Sequence, residues 1–268
     1  MSTATAVTAP AGRAHPDLRA GLVYALMLVV GAGAFLYPFW LPSEALPSGA
    51  HSGDAPVVAA AIGALVVAAV ALEVRRGAMT GSTVAVLGVL SASAGLLRLL
   101  DLPGGGNAMF FLVVLAGAAF GPRFGLLLGL CAMAVGAVLT GGVGPWLPFQ
   151  MLALGWMGAG AGVIGRVTRS WHRGVEVAAL ATYGWVWGFV YGAIMNLWFW
   201  PFVRDGGPLS WEPGLGLVAT VDRYWSFYVA TSFAWDAAGA LANAALIAIT
   251  GIALLRTFRR FAVRVRST

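Results

Sequence analysis

The chain has 268 residues, of which 60% are hydrophobic and only 10% are charged. Soluble domains carry about 25% charged residues, so this composition excludes a soluble globular domain and indicates a helical membrane protein that lies in the lipid bilayer. The net charge of +6 comes from arginines that punctuate the apolar runs. Because they form no separate basic domain, we expect no nucleic-acid partner.

Eight apolar stretches are predicted to be helices, and most have about the 20 residues that cross a bilayer core. They cover residues 18–40, 56–74, 80–100, 107–121, 124–141, 148–166, 175–200 and 225–255. The fourth and fifth are separated only by Pro122 and Arg123, and we predict two helices because the second is long enough to span alone. No small-residue cleavage site follows the first stretch, so we predict a retained helix and not a signal peptide.

The arginines test this helix count, because cytoplasmic loops of membrane proteins are enriched in basic residues. With both termini in the cytoplasm, 13 of the 16 basic residues lie inside, and only Arg98, Arg204 and Arg223 lie outside. Dropping one helix would reverse every later loop and scramble this bias. The pattern therefore predicts a multi-pass protein of the cell membrane with both termini cytoplasmic.

Enzymatic chemistry finds no support in the sequence. The histidines, His15, His51 and His172, lie in flanks or loops and are not expected to converge on a metal ion. No Ser-His-acid arrangement is visible, and a chain without lysine has no phosphate-binding Walker A loop. We therefore predict no catalytic activity and no cofactor, and any uphill transport needs an ion gradient or another subunit.

The run 141–156 is the most informative segment. Its glycines and prolines fix an irregular backbone, which survives at membrane depth only when it is buried in protein or lines a cavity. Trp146, Gln150 and Trp156 add ring faces and hydrogen-bonding groups. The segment is either part of a small-molecule site or an interfacial turn with tryptophans at the membrane surface.

Asp236 is the strongest single candidate for a functional residue, because a carboxylate well inside an apolar helix is costly and marks a functional site by default. It is either a ligand or proton group, or a structural carboxylate paired with Arg98 or held by neighbouring hydroxyls. Asn243, seven residues later, shares its helix face and is expected to form an interhelical hydrogen bond.

Other polar groups collect at the predicted outer ends of the helices. Arg98 is either a cationic ligand contact or an interfacial side chain that reaches the lipid headgroups or pairs with Asp101. Asn196 is either a ligand contact or a structural residue, and Tyr224 belongs to the aromatic cluster at the same side. The predicted substrate-binding set is Arg98, Trp146, Gln150, Asn196, Tyr224 and Asp236.

Small residues recur every four positions in the third helix, as Gly88 with Ala92 and as Ser91 with Gly95. Such a face allows another helix to approach closely. It serves either a partner protein or packing within this chain.

From about residue 81 to the C-terminus, the chain resembles the substrate-binding S component of an energy-coupling factor (ECF) vitamin transporter. The resemblance rests on the helix that ends at Arg98, the turn 120–125, the segment 144–152, and the last helix with Asp236 and Asn243. It implies a six-helix bundle over 80–256, an N-terminal tail 1–17, a two-helix addition 18–79 and a basic cytoplasmic tail 257–268.

The family implies a substrate-capture subunit without catalytic activity that docks on a transmembrane T component driven by two ABC-type ATPases. Docking uses a small-residue face on the first core helix, for which Gly88 and Ala92 are the best match. The motifs are most similar to members that take cobalamin or related corrinoids, although the aromatic roof would also suit a pteridine, a pyrimidine or a modified nucleobase. The alternatives are an ion-coupled transporter, which would predict an inverted repeat, and a membrane enzyme or assembly factor.

Overall fold

The computed structural model describes residues 18–40, 49–100, 102 and 107–267. This part of the chain folds into nine α-helices without a β-strand. They are α1 (Leu18–Leu36), α2 (Ala55–Arg75), α3 (Gly81–Leu97), α4 (Met109–Phe120), α5 (Pro122–Thr140), α6 (Leu147–Val167), α7 (Arg173–Phe199), α8 (Leu217–Thr231) and α9 (Phe233–Ser267). Single turns of 3₁₀ helix extend α1, α6 and α7, at Tyr37–Phe39, Thr168–Ser170 and Trp200–Phe202.

Six of these helices are long and apolar enough to cross a membrane, namely α1, α2, α5, α6, α7 and α9. The helices α3 and α4 are apolar but shorter, with 17 and 12 residues. The predicted fold class, a polytopic all-α membrane protein, is confirmed. The predicted division at Pro122 and Arg123 is also confirmed, because α4 ends at Phe120 and α5 begins at Pro122.

The last predicted helix, 225–255, is two helices in the structure. Helix α8 starts eight residues earlier and ends at Thr231, and α9 runs from Phe233 to Ser267. Ser232 separates them with a φ of −130° and hydrogen-bonds through its hydroxyl to Asn196 of α7. No glycine or proline marks this break, so the apolar pattern alone did not predict it.

Three helices form the centre of the bundle. Val113, Leu115 and Ala116 of α4 are completely buried, and α4 packs against α5, α6 and α9. Helices α5 and α6 approach so closely that the backbone of Gly158 lies where a Cβ at Gly125 would be. Contacts of this kind between small residues hold helices together where lipid removes the hydrophobic driving force.

Helices α7 and α9 form a second close pair through small residues on α7. Gly188 lies against Ala240, and the Asn243 side chain donates a hydrogen bond to the backbone oxygen of Gly184 at 3.0 Å. The expected interhelical role of Asn243 is therefore confirmed.

The two N-terminal helices pack directly on the core. Gly31 of α1 lies against Trp156 of α6, and the rings of Phe35 and Phe149 meet edge to face with centroids 5.0 Å apart. At the other end, the buried Glu73 of α2 accepts a hydrogen bond from Arg123 of α5 at 2.9 Å. Trp156, singled out in the sequence as a ring face for a ligand, instead receives α1.

Candidate functional site

The site residues lie at one end of the bundle, where α3 and α7 finish and α6 and α9 begin. We call it the polar end. Arg98, the residue after the last turn of α3, extends its side chain toward α5 and α6. Its Nη1 lies 3.1 Å from the sulfur of Met133, and its Nη2 lies 3.5 Å from Oε1 of Gln150.

Glycines make room for the Arg98 side chain. A Cβ at Gly136 would lie 2.9 Å from Cδ of Arg98, and a Cβ at Gly142 would lie 3.4 Å from its Nη2. The guanidinium is therefore held between α5 and the loop before α6, which places it inside the bundle and not at its lipid surface. Asp101, the possible partner of Arg98, lies outside the described residues.

Asp236 occupies a notch in α7. The carboxylate lies where a side chain at Gly192 would be, and the hydroxyl of Tyr228 interacts with it. Its Oδ2 is buried without a hydrogen-bond partner among the described residues. A buried carboxylate oxygen without a partner costs free energy, so Oδ2 is an unsatisfied acceptor packed against α7.

Tyr191 of α7 lies within electrostatic range of both Arg98 and Asp236. Its ring packs edge to face on Phe110 of α4, with centroids 4.8 Å apart. Arg98 and Asp236 form no ion pair in the structure, so that one of the alternatives for Asp236 is not observed. The carboxylate interacts with the hydroxyl of Tyr228 and keeps one oxygen without a partner among the described residues.

Asn196 and Tyr224 fasten α8 to the bundle. The amide of Asn196 donates to the hydroxyl of Ser232 at 2.8 Å, and the hydroxyl of Tyr224 donates to the backbone oxygen of Ala193. The ring of Tyr224 also meets Trp200 edge to face at 5.2 Å. Burial and, secondarily, the charge of Asp236 raise the pKa of the Tyr224 hydroxyl, so Tyr224 borders the Asp236 notch as a neutral donor.

The ring of Trp146 packs on the loop that precedes this residue. Its ring covers Gly144, its Nε1 donates to the backbone oxygen of Gly142 at 3.2 Å, and 39% of the residue is exposed. Gly142 also lies close to the guanidinium of Arg98, so the ring of Trp146 packs on the loop that covers this group. Trp146 therefore stands above the polar groups and not among them.

Five of the six predicted site residues thus fall into two adjacent groups. Arg98 and Gln150 join α3 to α6, whereas Asn196, Tyr224 and Asp236 join α7, α8 and α9. Tyr191, Tyr228 and Met133 complete these groups and were missed as site residues. A signal for Tyr191 was present, because it precedes one of the glycines spaced four apart on α7 (Gly184, Gly188, Gly192) that face α9.

The two small-residue spacings of α3 face opposite ways. Ser91 and Gly95 are buried, and Gly95 lies against Val135 and Gly136 of α5. Gly88 and Ala92 are exposed, and a Cβ at Gly88 would meet nothing within 4 Å. The first pair serves packing within the chain, and the second leaves an open face.

No group of three or more His, Cys, Asp or Glu that could hold a metal ion occurs in the part of the chain that the structure describes. At the polar end, Arg98 supplies a cation, Asp236 a carboxylate, and their neighbours several hydroxyl and amide groups. Such an arrangement orients an uncharged or zwitterionic organic molecule by hydrogen bonds and ring contacts.

The fold and these groups define a multi-pass helical membrane protein with polar groups enclosed at one end. The family model of the ECF transporter substrate-specific component matches residues 82–251. The chain therefore belongs to the substrate-specific components of ECF transporters. Searches of curated proteins and of solved structures found no match.

This membership extends from α3 through most of α9 and leaves α1 and α2 outside the matched region. It identifies the chain as a substrate-binding subunit of a transporter and not as an enzyme. The family partners with a T component and ATPases, so the energy for transport comes from other subunits.

Proposed function

We propose that this subunit captures cobalamin or another corrinoid with high affinity for import, and that the polar end is the substrate site. The observation that carries the proposal is the presence, at one end of the bundle, of the half-buried guanidinium of Arg98 and a buried, unsatisfied carboxylate oxygen of Asp236. Tyr191 lies within electrostatic range of both.

A large molecule with amide groups at its periphery suits this arrangement. Arg98 and Gln150 supply donors to carbonyl or phosphate oxygens, and Asp236 accepts from amide N–H groups. Ligand pockets combine a few oriented polar groups with aromatic walls, and Tyr191, Tyr224 and the roof over Arg98 are of this kind. Smaller heterocycles such as pteridines or pyrimidines are the competing substrates.

The proposal includes how the subunit meets its transporter. The exposed face of Gly88 and Ala92 on α3 docks on the T component, because small residues allow close helix contact. The N-terminal pair packs on α5, α6 and α7, and the face of Gly88 and Ala92 stays exposed. We place the polar end outside and both termini in the cytoplasm, following the arginine distribution.

Ligand identification tests this function. The full chain is purified from cells grown with a vitamin mixture, and bound small molecules are released and identified by mass spectrometry. Cyanocobalamin affinity is then measured by calorimetry. Recovery of a corrinoid and tight cyanocobalamin binding support the proposal, whereas recovery of a different heterocycle with no cyanocobalamin binding replaces the corrinoid by that substrate.

A further inference from the structure

The connection between α1 and α2 sends one side chain into the core. His51 is completely buried, although it lies in a loop outside the family match. Its φ of 54° is in the left-handed region, which histidine tolerates better than most residues but which non-glycine residues rarely adopt. A buried side chain on a strained backbone points to a functional constraint at this position.

Four aromatic rings surround the imidazole. The centroid distances from His51 are 4.4 Å to Phe149, 5.0 Å to Phe202, 5.6 Å to Tyr37 and 5.8 Å to Trp198. The imidazole is nearly parallel to Trp198, with an interplanar angle of 19°. These rings come from four different segments, so the imidazole joins the N-terminal pair to α6, α7 and the turn after α7.

One carboxylate faces this imidazole. The Nδ1 of His51 lies 2.7 Å from Oδ2 of Asp54, and the hydroxyl of Tyr37 interacts with the same carboxylate. The Nε2 is buried, and the backbone of Trp198 also interacts with the ring. Among the described residues, Asp54 and Tyr37 are the titratable side chains that contact the imidazole. The other three segments present Phe149, Trp198 and Phe202.

The imidazole lies beside the proposed site. Phe149 immediately precedes Gln150 at the start of α6, and Trp198 follows Asn196 by two residues at the end of α7. We propose that neutral His51 is a positioning residue, which ties the start of α6 to the end of α7 and so holds Gln150 and Asn196 in place. Its effect on ligand binding rests on the proposed function, whereas its effect on the helix ends does not.

Protonation of His51 should weaken the packing through which its imidazole holds the start of α6 and the end of α7 together. Burial lowers the pKa of His51, and the hydrogen bond and charge of Asp54, together with a hydrogen bond to the backbone of Trp198, only partly offset this effect. A released, hydrated histidine has a pKa of about 6.5, so it binds protons more readily than the packed one. The packed state is therefore fully favoured above about pH 6.5 and is progressively lost as the pH falls below that value.

Hydrogen exchange of the full chain in lipid nanodiscs tests the tie without any ligand. Backbone exchange is followed in segments 49–58 and 147–152 at pH 7.5 and pH 5.5, after correction for the intrinsic pH dependence of exchange. We expect wild-type exchange in both segments to be severalfold faster at pH 5.5, with about tenfold as the upper bound, because a single histidine with a released pKa of about 6.5 takes up at most one proton over this interval. Equal corrected rates at the two pH values would overturn the proposal.

Two substitutions of His51 distinguish the effect of its ring packing from the effect of its protonation. His51→Phe keeps a ring that does not titrate, so both segments should lose their pH response. Asparagine in His51→Asn tolerates the left-handed backbone but does not fill the space between the four aromatic rings. Exchange should therefore be fast at both pH values. His172→Gln, in the exposed turn before α7, should respond to pH as the wild type does. A pH response that persists in His51→Phe, or slow exchange in His51→Asn, contradicts the proposal.

Asp54→Asn provides a second test in case His51→Phe does not fold. Loss of the carboxylate removes the group that favours protonation in the packed state, so the difference in proton binding between packed and released states grows. The pH response of exchange should therefore be larger than in the wild type, and a smaller response is contrary to the tie.

Cyanocobalamin binding provides the second readout. Its affinity for the wild type and for His172→Gln should fall at least threefold from pH 7.5 to pH 5.5, and His51→Phe should bind more tightly than His51→Asn at pH 5.5. Equal affinities of these two variants contradict the positioning role. A wild type that does not bind cyanocobalamin but shows the exchange response refutes the proposed substrate and leaves the tie supported.

Discussion

The carboxylate of Asp236 fills the notch that Gly192 leaves in α7, and no side chain larger than hydrogen at position 192 is compatible with its position. A costly charged group and the gap that accepts it thus lie on facing helices. The same glycine row continues at Gly188 and Gly184, against Ala240 and Asn243 of α9. The spacing on α7 is therefore matched to the position of one carboxylate on α9.

Gly192→Ala should displace the Asp236 carboxylate. An added methyl group in a tightly packed contact costs about 1–3 kcal/mol, so we expect lower thermal stability and weaker cyanocobalamin binding. Gly63→Ala in α2, where a Cβ would meet nothing within 4 Å, is the control and should be as stable as the wild type or slightly more so. Unchanged stability and affinity in Gly192→Ala would mean that the carboxylate has room elsewhere.

Replacement of the side chains at the polar end should weaken substrate binding without unfolding the protein. Loss of one buried hydrogen bond costs about 1–3 kcal/mol, which corresponds to about ten- to hundredfold in affinity. We expect this loss in Gln150→Ala and Asp236→Asn, and a smaller one in Trp146→Ala, because Trp146 acts through its loop. Calorimetry with cyanocobalamin measures it, and Trp40→Ala, 75% exposed, is the control. Wild-type affinity in Gln150→Ala and Asp236→Asn would place the site elsewhere.

The sequence predicted the architecture because a helical membrane fold depends on composition and on apolar runs of about 18 to 20 residues. It also singled out Asp236 as a candidate, because charge in an apolar helix is rare enough to stand out. Both inferences need only local sequence and the properties of a bilayer.

Partners across the bundle were harder to predict. The sequence does not show that Tyr191 lies near both Arg98 and Asp236, or that Trp156 faces α1, since each depends on how helices rotate against one another. His51 lies in a loop as predicted, but its burial was not predicted. Its burial arises from rings on four segments, and no local pattern of residues around position 51 predicts them.

A bulky side chain on the open face of α3 should block coupling. Ala92→Trp projects away from the bundle, so it should leave the fold and cyanocobalamin binding intact and abolish uptake in cells that carry the T component and ATPases. The matched control is Ser82→Trp, also exposed but at the start of the helix and off the spacing of Gly88 and Ala92. Uptake at the wild-type rate by Ala92→Trp would exclude this face as the docking surface.

Reporter fusions should read the topology directly. Fusions after residues 50 and 210 follow α1 and α7, and both should report an external location if the termini are cytoplasmic. A fusion after residue 170, in the arginine-rich turn between α6 and α7, should report the cytoplasm. The opposite pattern at either of the first two positions contradicts the orientation that the arginines predict.

Arg259→Ala should destabilise the fold at the other end of the bundle. Glu176 of α7 is completely buried and accepts hydrogen bonds from both terminal nitrogens of Arg259, one at 2.8 Å, while Arg173 lies 3.6 Å away. Removal of one partner of a buried ion pair costs about 3–5 kcal/mol because the remaining charge is uncompensated. Arg173 remains nearby, so we expect about 3 kcal/mol, measured by thermal and denaturant unfolding.

The control for this ion pair is the next residue, Arg260, which is exposed and has no ion-pair partner among the described residues. Arg260→Ala should change the free energy of unfolding by no more than about 0.5 kcal/mol. Glu176→Gln placed in the Arg259→Ala background should restore part of the lost stability, because it removes the charge that Arg259 had compensated. If Arg259→Ala and Arg260→Ala were equally stable, the buried Glu176 would have to be compensated by Arg173 alone.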